Sequence, residues 1–80
     1  MDIRIVAKQS EASTIVASAL RGLGLRSEIK TTKEDDQTTF HSKALMESEV
    51  DLIAAEIERA VQRHGFSSPL ECGIELYYRW

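Results

Sequence analysis

Hydrophobic residues recur at helical spacing in two segments of the chain. In the first segment, apolar residues three or four positions apart form one stripe: Ala12, Ile15, Val16, Ala19, Leu20 and Leu23. The second stripe consists of Val50, Ile53, Ala54, Ile57, Ala60, Val61 and His64. Ser10 and Ser48 stand at the start of these segments, and because a serine hydroxyl accepts from a free backbone N–H, we expect both as N-caps. The sequence therefore predicts two amphipathic helices, and Gly65 is expected to end the second.

Around these helices, polar and apolar residues alternate at every second position, which is typical of strands. Four such segments occur, covering residues 2–6, 26–31, 38–45 and 71–80. A polar turn over residues 33–37 joins the second and third segments. The predicted order is strand, helix, strand, strand, helix, strand.

This order indicates one fold class. One apolar face per strand and one apolar stripe per helix require two packed layers. Right-handed crossovers then give a four-stranded antiparallel sheet with both helices on one face and with the first and third strands at its centre. The sequence therefore predicts an α+β protein with the ferredoxin-like split βαβ fold (β-α-β-β-α-β), as a single domain over residues 1–80.

Composition narrows the class of protein further. Hydrophobic residues make up 42% of the chain and charged residues 29%, with a net charge of −3, and these values exclude a disordered tail, a collagen-like chain and a strongly basic arm. The single cysteine, Cys72, has no partner for an internal disulfide. The first residues are strand-like rather than basic and then apolar, so no secretory signal is predicted. The longest uncharged run, residues 12–20, is too short and polar to span a bilayer, and we expect a cytoplasmic protein.

The sequence lacks the residues that several known activities of this topology require. The predicted loop at residues 8–10 has no paired cysteines for copper, and no glycine precedes Gly22 to form an acylphosphatase-type phosphate cradle. The open face of the central strands also lacks the stacking aromatics of an RNA-recognition sheet. Its residues are Arg4, Val6, Thr39, His41 and Lys43.

The remaining reactive side chains do not form a recognisable site. His41, His64 and Cys72 have no zinc-motif spacing and fall one ligand short of a closed site. Cys72 shares its parity with buried-type residues, so we expect a buried small hydrophobe rather than a nucleophile. His64 is expected to be half-buried at a helix end, and His41 to be solvated on the open sheet face. We therefore predict no catalytic residue, no metal, no cofactor and no enzymatic activity.

The predicted sheet divides the charge of the chain. Its open face would carry the basic residues Arg4, Lys8, Arg26, Lys30, Lys43 and Arg79 and the acidic residues Asp2, Glu28, Glu71 and Glu75. The net charge of this face is +2, which leaves −5 for the rest of the surface. We expect the face to meet an acidic protein or a protein–nucleic acid complex, with direct nucleic-acid binding as an alternative and solvated cross-strand pairs as the simpler explanation. The candidate partner-binding residues are Arg4, Arg26, Lys30, His41, Lys43, Tyr77 and Arg79.

Two other surfaces are secondary candidates. The outward side of the first helix carries no charge between Glu11 and Arg21, so another backbone could approach its small residues closely. Those residues are Thr14, Ala17 and Ser18. The acidic alternative, which would mimic nucleic-acid phosphates, consists of Glu34, Asp35, Asp36 and Glu56. Tyr78 and Trp80 are expected to close the edge of the core, which leaves Tyr77 outside.

The first half of the chain resembles an ACT-type regulatory domain over residues 3–30. A strand ending in Val6-Ala7 leads to an apolar helix that closes with Gly22-Leu23-Gly24-Leu25, and a strand follows. The Asp-Arg-Pro-Gly-like turn that such domains often place before the helix is absent. The resemblance implies an ACT-like homodimer that senses a small ligand.

The leading hypothesis is a different one. The size and acidic charge of the chain are similar to those of the inhibitors that phages and plasmids encode, including anti-CRISPR proteins. This similarity, together with the absence of a catalytic constellation, favours a small binding module that docks on a macromolecular partner as a regulator or inhibitor.

Overall fold

The protein alternates strands and helices in the predicted order. A computed structural model describes residues 1–25, 28–43 and 45–79. Its elements are β1 (Asp2–Ala7), α1 (Ser10–Arg21), β2 (Lys30–Glu34), β3 (Gln37–Ser42), α2 (Glu47–Arg63) and β4 (Ile74–Arg79). All strand pairs are antiparallel, and the order across the sheet is β2-β3-β1-β4. The ferredoxin-like α+β prediction, with the first and third strands central, is confirmed.

The core lies between one face of the sheet and the two helices. Alternate residues of the central strands are buried, namely Ile3, Ile5 and Ala7 in β1 and Thr38, Phe40 and Ser42 in β3. They pack against the predicted helical stripes, whose buried members are Ala12, Ile15, Val16 and Ala19 in α1 and Val50, Ile53, Ile57, Ala60 and Val61 in α2. Among the described residues, no helix or second sheet covers the opposite face of the sheet. Within the described ranges, neither helix has the length and apolar character that a membrane span requires.

The start of α1 differs from the prediction. Ser10 is the first helical residue rather than the N-cap, and the N-cap residue is Gln9, whose side chain makes no capping bond. Instead, the Gln9 amide donates to the carbonyl of Cys72 at 2.8 Å. This bond joins residues far apart in sequence, and it ties the start of α1 to the turn before β4.

The start of α2 also differs from the prediction. The helix begins at Glu47, so Met46 is its N-cap and Ser48 is not. The carboxylate of Glu49 accepts the backbone N–H of Met46 at 3.0 Å, which is the glutamate half of a capping box. The glutamate three residues after the cap, rather than a serine, therefore supports this helix start.

The end of α2 follows the predicted glycine cap. Gly65 has a φ of +89°, a conformation that suits glycine, and it directly follows the C-cap residue His64. The N–H of Phe66 donates to the carbonyl of Val61 at 3.0 Å, and the N–H of Gly65 donates to that of Gln62 at 3.0 Å, as in a Schellman motif. His64 itself is exposed, so the expectation that it packs against the core is wrong.

The hairpin between β2 and β3 is tighter than predicted. Its turn consists of Asp35 and Asp36 alone, and Asp35 adopts a φ of 54°. Because the turn is so short, β2 extends to Glu34 and β3 starts at Gln37, two positions that the sequence placed in the loop. The ladder between the strands starts at Lys30 rather than at position 26. The predicted strand residues Arg26, Ser27, Ala44 and Trp80 lie outside the described residues.

The fourth strand begins later than predicted, at Ile74, because a turn occupies residues 69–73. Glu71 therefore leaves the open sheet face, and its carboxylate accepts the N–H of Ser67 at 3.1 Å and the Ser67 hydroxyl. Cys72 lies in the same turn and is buried, as predicted. Burial and the nearby Glu11 and Glu71 carboxylates raise the pKa of its thiol, which disfavours the nucleophilic thiolate.

Candidate docking surface

The open face of the sheet places one residue from each strand in a single row. Lys30 of β2 lies opposite His41 of β3, His41 lies opposite Arg4 of β1, and Arg4 lies opposite Tyr77 of β4. The β1 neighbours of Arg4 point into the core, so the row points away from the helices. Lys30, Arg4 and Tyr77 are exposed, and His41 is half-buried. We call these four residues the cross-strand row.

A shallow depression of about 400 Å³ lies beside the cross-strand row. Its lining residues are Asp2, Arg4, His41, Tyr77, Tyr78 and Arg79. Asp2 and Arg79 lie opposite each other in the β1–β4 ladder. The imidazole Nε2 of His41 lies 2.7 Å from Oδ1 of Asp2, so an N–H at this nitrogen donates to the carboxylate. His41 is therefore half-buried and hydrogen-bonded to Asp2, whereas the sequence led us to expect a solvated side chain.

Cations without carboxylate partners dominate this end of the sheet. Arg4, Lys30, Lys43 and Arg79 make no ion pair with any of the described residues. Lys43 directly follows β3, at the same end of the sheet as Asp2 and Arg79. We call these four residues the basic end. An anionic group can therefore bind at the basic end to cations that no described carboxylate already neutralises.

Tyr77 is held in place from two sides. The guanidinium carbon of Arg4 lies 5.2 Å from the centre of the Tyr77 ring, a cation–π distance. The Tyr77 hydroxyl donates to Oε1 of Glu75 at 2.8 Å, and Nζ of Lys8 lies 3.2 Å from Oε2 of the same carboxylate. These contacts lower the pKa of Glu75, and the bond to Glu75 raises the pKa of Tyr77. Tyr77 therefore presents its ring in a fixed orientation beside Arg4.

The opposite end of the open face is acidic. Glu34 ends β2, and the turn residues Asp35 and Asp36 follow it. Lys8 and Gln37 lie beside them around a small depression. The open face therefore runs from the basic end to an acidic hairpin tip, made of Glu34, Asp35 and Asp36.

Most of the partner-binding candidates from the sequence lie at one end of the open face. Arg4, His41, Tyr77 and Arg79 surround one depression, Lys30 extends their row, and Lys43 stands at the same end. Arg26 lies outside the described residues. Sequence reasoning missed Asp2 and Tyr78 as lining residues, and it assigned Tyr78 to the edge of the core. Tyr78 is 47% exposed because β4 is an edge strand, and no other strand of the described residues lies beyond it.

The secondary acidic candidates do not all lie together. Glu34, Asp35 and Asp36 share the hairpin tip, whereas Glu56 lies on α2. Its carboxylate is 2.6 Å from Arg59 and 3.3 Å from Arg63, and these bonds lower the pKa of Glu56. Glu56 is thus already engaged within its own helix.

The small-residue candidates lie along α1. The Thr14 hydroxyl donates to the carbonyl of Ser10 at 3.1 Å, Ser18 is exposed, and Ala17 is half-buried. Ala17 lines a groove between α1 and the β2 edge. The other residues of this groove include Leu20, Leu25, Ile29, Thr31 and Phe40. The groove presents no charged side chain along α1 until Arg21.

Neither metal-binding side chains nor known relatives indicate a function for the described part of the chain. The described part of the chain contains no group of three or more His, Cys, Asp or Glu side chains that could hold a metal ion. No family model matches the chain, and no curated protein matches it either. The geometry and charge of the open sheet face are therefore the basis for assigning a function.

Proposed function

We propose that this protein is a non-enzymatic binding module that docks the basic end of its open sheet face on an acidic surface of a partner protein, and so regulates or inhibits that partner. One observation carries the proposal. Four cations that pair with no carboxylate among the described residues gather at one end of one face, although the whole chain has a net charge of −3. Such a local charge steers and orients an oppositely charged partner.

The central contacts of this docking are assigned to Arg4 and Tyr77. Arginine and tyrosine are enriched among the residues that contribute most to protein interfaces. Because Glu75 and Arg4 already fix the Tyr77 ring, little conformational entropy is lost when a partner covers it. Lys30 and Arg79, which flank this pair, add attraction at the rim.

An acidic protein fits this face better than a nucleic acid does. Single-stranded nucleic acids bind sheets through several stacking aromatics. Tyr77 is the only aromatic on the open face within the described ladders, and it lies on an edge strand. The central strands offer Arg4, Val6, Thr39 and His41 instead.

Two charge variants test the proposal. The open-face variant carries Arg4→Glu, Lys30→Glu and Arg79→Glu. The tip variant, a matched control, carries Glu34→Lys, Asp35→Asn and Asp36→Lys, with asparagine at position 35 because it tolerates the positive φ there. Circular dichroism first verifies that both variants fold. Each chain then serves as bait in a nuclease-treated lysate, and captured proteins are identified by mass spectrometry.

The expected result is one acidic partner retained by the wild-type chain and the tip variant and lost from the open-face variant. Equal capture by the open-face variant and the wild type would contradict the proposal. A partner captured from an untreated lysate but not from the nuclease-treated one would support nucleic-acid binding instead.

A second candidate function is the sensing of a small anionic ligand, as in the ACT-like alternative. The depression of about 400 Å³ favours it, because Arg4 and Arg79 line it and guanidinium groups bind carboxylates in a bidentate manner. A sensor is stabilised by RT ln(1 + L/Kd) at ligand concentration L, so its Tm rises with the logarithm of that concentration once it exceeds Kd. A rise in Tm with amino acids or other small carboxylates, lost in Arg4→Gln, would favour the sensor over the docking module.

A further inference from the structure

The two edge strands of the sheet differ in their protection against pairing with another chain. Every residue of β2 is exposed, and the strand carries Lys30, Lys33 and Glu34, charges that hinder edge-to-edge pairing. β4 has neither lysine nor proline, and Tyr77 and Tyr78 are each nearly half exposed. Leu70, just before β4, is 70% exposed. The edge with fewer charges and no lysine is therefore β4, whose charged residues are Glu75 and Arg79.

The hydrogen-bond pattern shows which groups of β4 are free. The N–H of Lys8 donates to the carbonyl of Gly73 at 2.9 Å, so these two residues form a hydrogen-bonded pair of the β1–β4 ladder. Bonded and non-bonded pairs alternate in an antiparallel ladder. With Arg4 opposite Tyr77, the backbone groups of residues 75, 77 and 79 bond to β1. Those of residues 76 and 78 point out from the sheet edge, whereas the N–H of Ile74 donates to the carbonyl of Pro69 at 2.9 Å.

The β4 sequence is complementary to itself in one register. If two β4 strands run antiparallel with Tyr77 opposite Tyr77, Leu76 lies opposite Tyr78 of the second copy. Leu76 and Tyr78 are the residues whose backbone groups point outward, so reciprocal hydrogen bonds form. Glu75 then lies opposite Arg79 of the second copy on the open face. A register centred on Leu76 or on Tyr78 loses this opposition of charges.

A groove along the edge of β4 provides space for the second copy. It has a volume of about 470 Å³, and its lining residues include Pro69, Leu70, Leu76 and Tyr78. Leu76 and Tyr78 share the helix-side face of the strand, because they alternate with the open-face residue Tyr77. In the Tyr77-centred register, the side chains of Leu76 and Tyr78 of the second copy reach this groove.

We infer that the β4 edge is a docking site for a second copy of this chain, which joins two sheets into one across a two-fold axis at Tyr77. The two open faces then form one continuous surface, with both Tyr77 side chains at its centre. This inference does not depend on the proposed function: the dimer engages Arg79 of the basic end, whereas Arg4, Lys30 and Lys43 stay open in the monomer and the dimer alike.

The oligomeric state of the full chain tests the inference. Sedimentation equilibrium on the wild-type protein is expected to show a reversible monomer–dimer equilibrium. Tyr78→Pro removes an outward N–H that β1 does not use, and proline is tolerated on edge strands, so this variant is expected to be a folded monomer. Tyr78→Thr is the matched control, because it also removes the ring but keeps the N–H; it is expected to weaken the dimer less. A wild-type chain that stays monomeric up to about 1 mM would overturn the inference.

A charge-swap cycle decides the register independently of the proline variant. Glu75→Arg and Arg79→Glu each place like charges opposite each other twice in the dimer, and each is expected to raise the dimer Kd about tenfold. The double variant restores opposite charges and is expected to return Kd toward the wild-type value. Lys30→Glu on β2 is the control and should leave Kd unchanged. Additive weakening in the double variant, or a dimer that responds to Lys30→Glu instead, would overturn the β4 pairing.

Discussion

Ile57 is fully buried on the core side of α2, and Leu52 on the same helix is 51% exposed. Removing a buried isoleucine side chain leaves a cavity, so Ile57→Ala is expected to lower the free energy of unfolding by about 2–5 kcal/mol. Leu52→Ala should change it by no more than about 0.5 kcal/mol. Urea denaturation followed by circular dichroism measures both values. A loss below about 1 kcal/mol for Ile57→Ala would mean that this face of α2 does not pack as described.

The burial of individual residues was predictable where the helical or strand period determines which side chains face the core. The stripe that includes Ile53, Ile57 and Val61 is buried because a helix has only one side facing the sheet. The N-caps were not predictable in the same way. Gln9 binds the carbonyl of Cys72, which is distant in sequence, and no local pattern indicates such a contact.

At the scale of an element, two glycines near helix ends give opposite expectations. Gly65 has a φ of +89°, so Gly65→Ala is expected to cost about 1–2 kcal/mol. Gly22 has a φ of −78°, and a Cβ there would lie 3.8 Å from the Ala19 carbonyl oxygen, an ordinary contact. Gly22→Ala is therefore expected to stabilise the protein by about 0.4–1 kcal/mol. Thermal and urea melts compare the two variants, and equal effects would show that the caps do not differ in this way.

The pH dependence of stability reports on α2. Hydrogen bonds from Arg59 and Arg63 lower the pKa of Glu56, so the folded chain holds this carboxylate ionised at a lower pH than the unfolded chain does. Its stabilising contribution is present above the unfolded-state pKa and is lost as pH falls through the lowered value. Melts from about pH 6 to about pH 3 should show a smaller loss of Tm for Glu56→Gln than for the wild type. Glu58→Gln, on the same helix, is the control, and an identical slope in all three proteins would contradict the assignment.

The ends of the strands were less predictable than their order. Alternation identifies a strand, but polar alternation in residues 26–34 does not show where pairing starts. The ladder starts at Lys30 because the two-residue turn at Asp35 and Asp36 fixes the register of β2 against β3. This register also decides that Lys30, rather than another basic residue of the segment, lies opposite His41.

At the scale of the whole molecule, the open face is basic at one end of its strands and acidic at the other. Alternation in the sequence predicts which side chains face away from the helices, and Arg4, Lys30, His41, Tyr77 and Arg79 do so. It does not predict that Lys8 and Glu75 form an ion pair. Because this pair is neutral, it separates the basic end from the acidic hairpin tip. Only the register between strands contains that information.

The affinity of the captured partner for three forms of the chain tests the docking claim most directly. Wild type, open-face variant and tip variant are titrated with this partner at about 50 mM and about 300 mM salt, across which the Debye length shortens. If the basic end docks on the partner, the wild type and the tip variant bind more weakly at the higher salt, and the open-face variant binds poorly at both. Unchanged affinity of the folded open-face variant at both salt concentrations would contradict it.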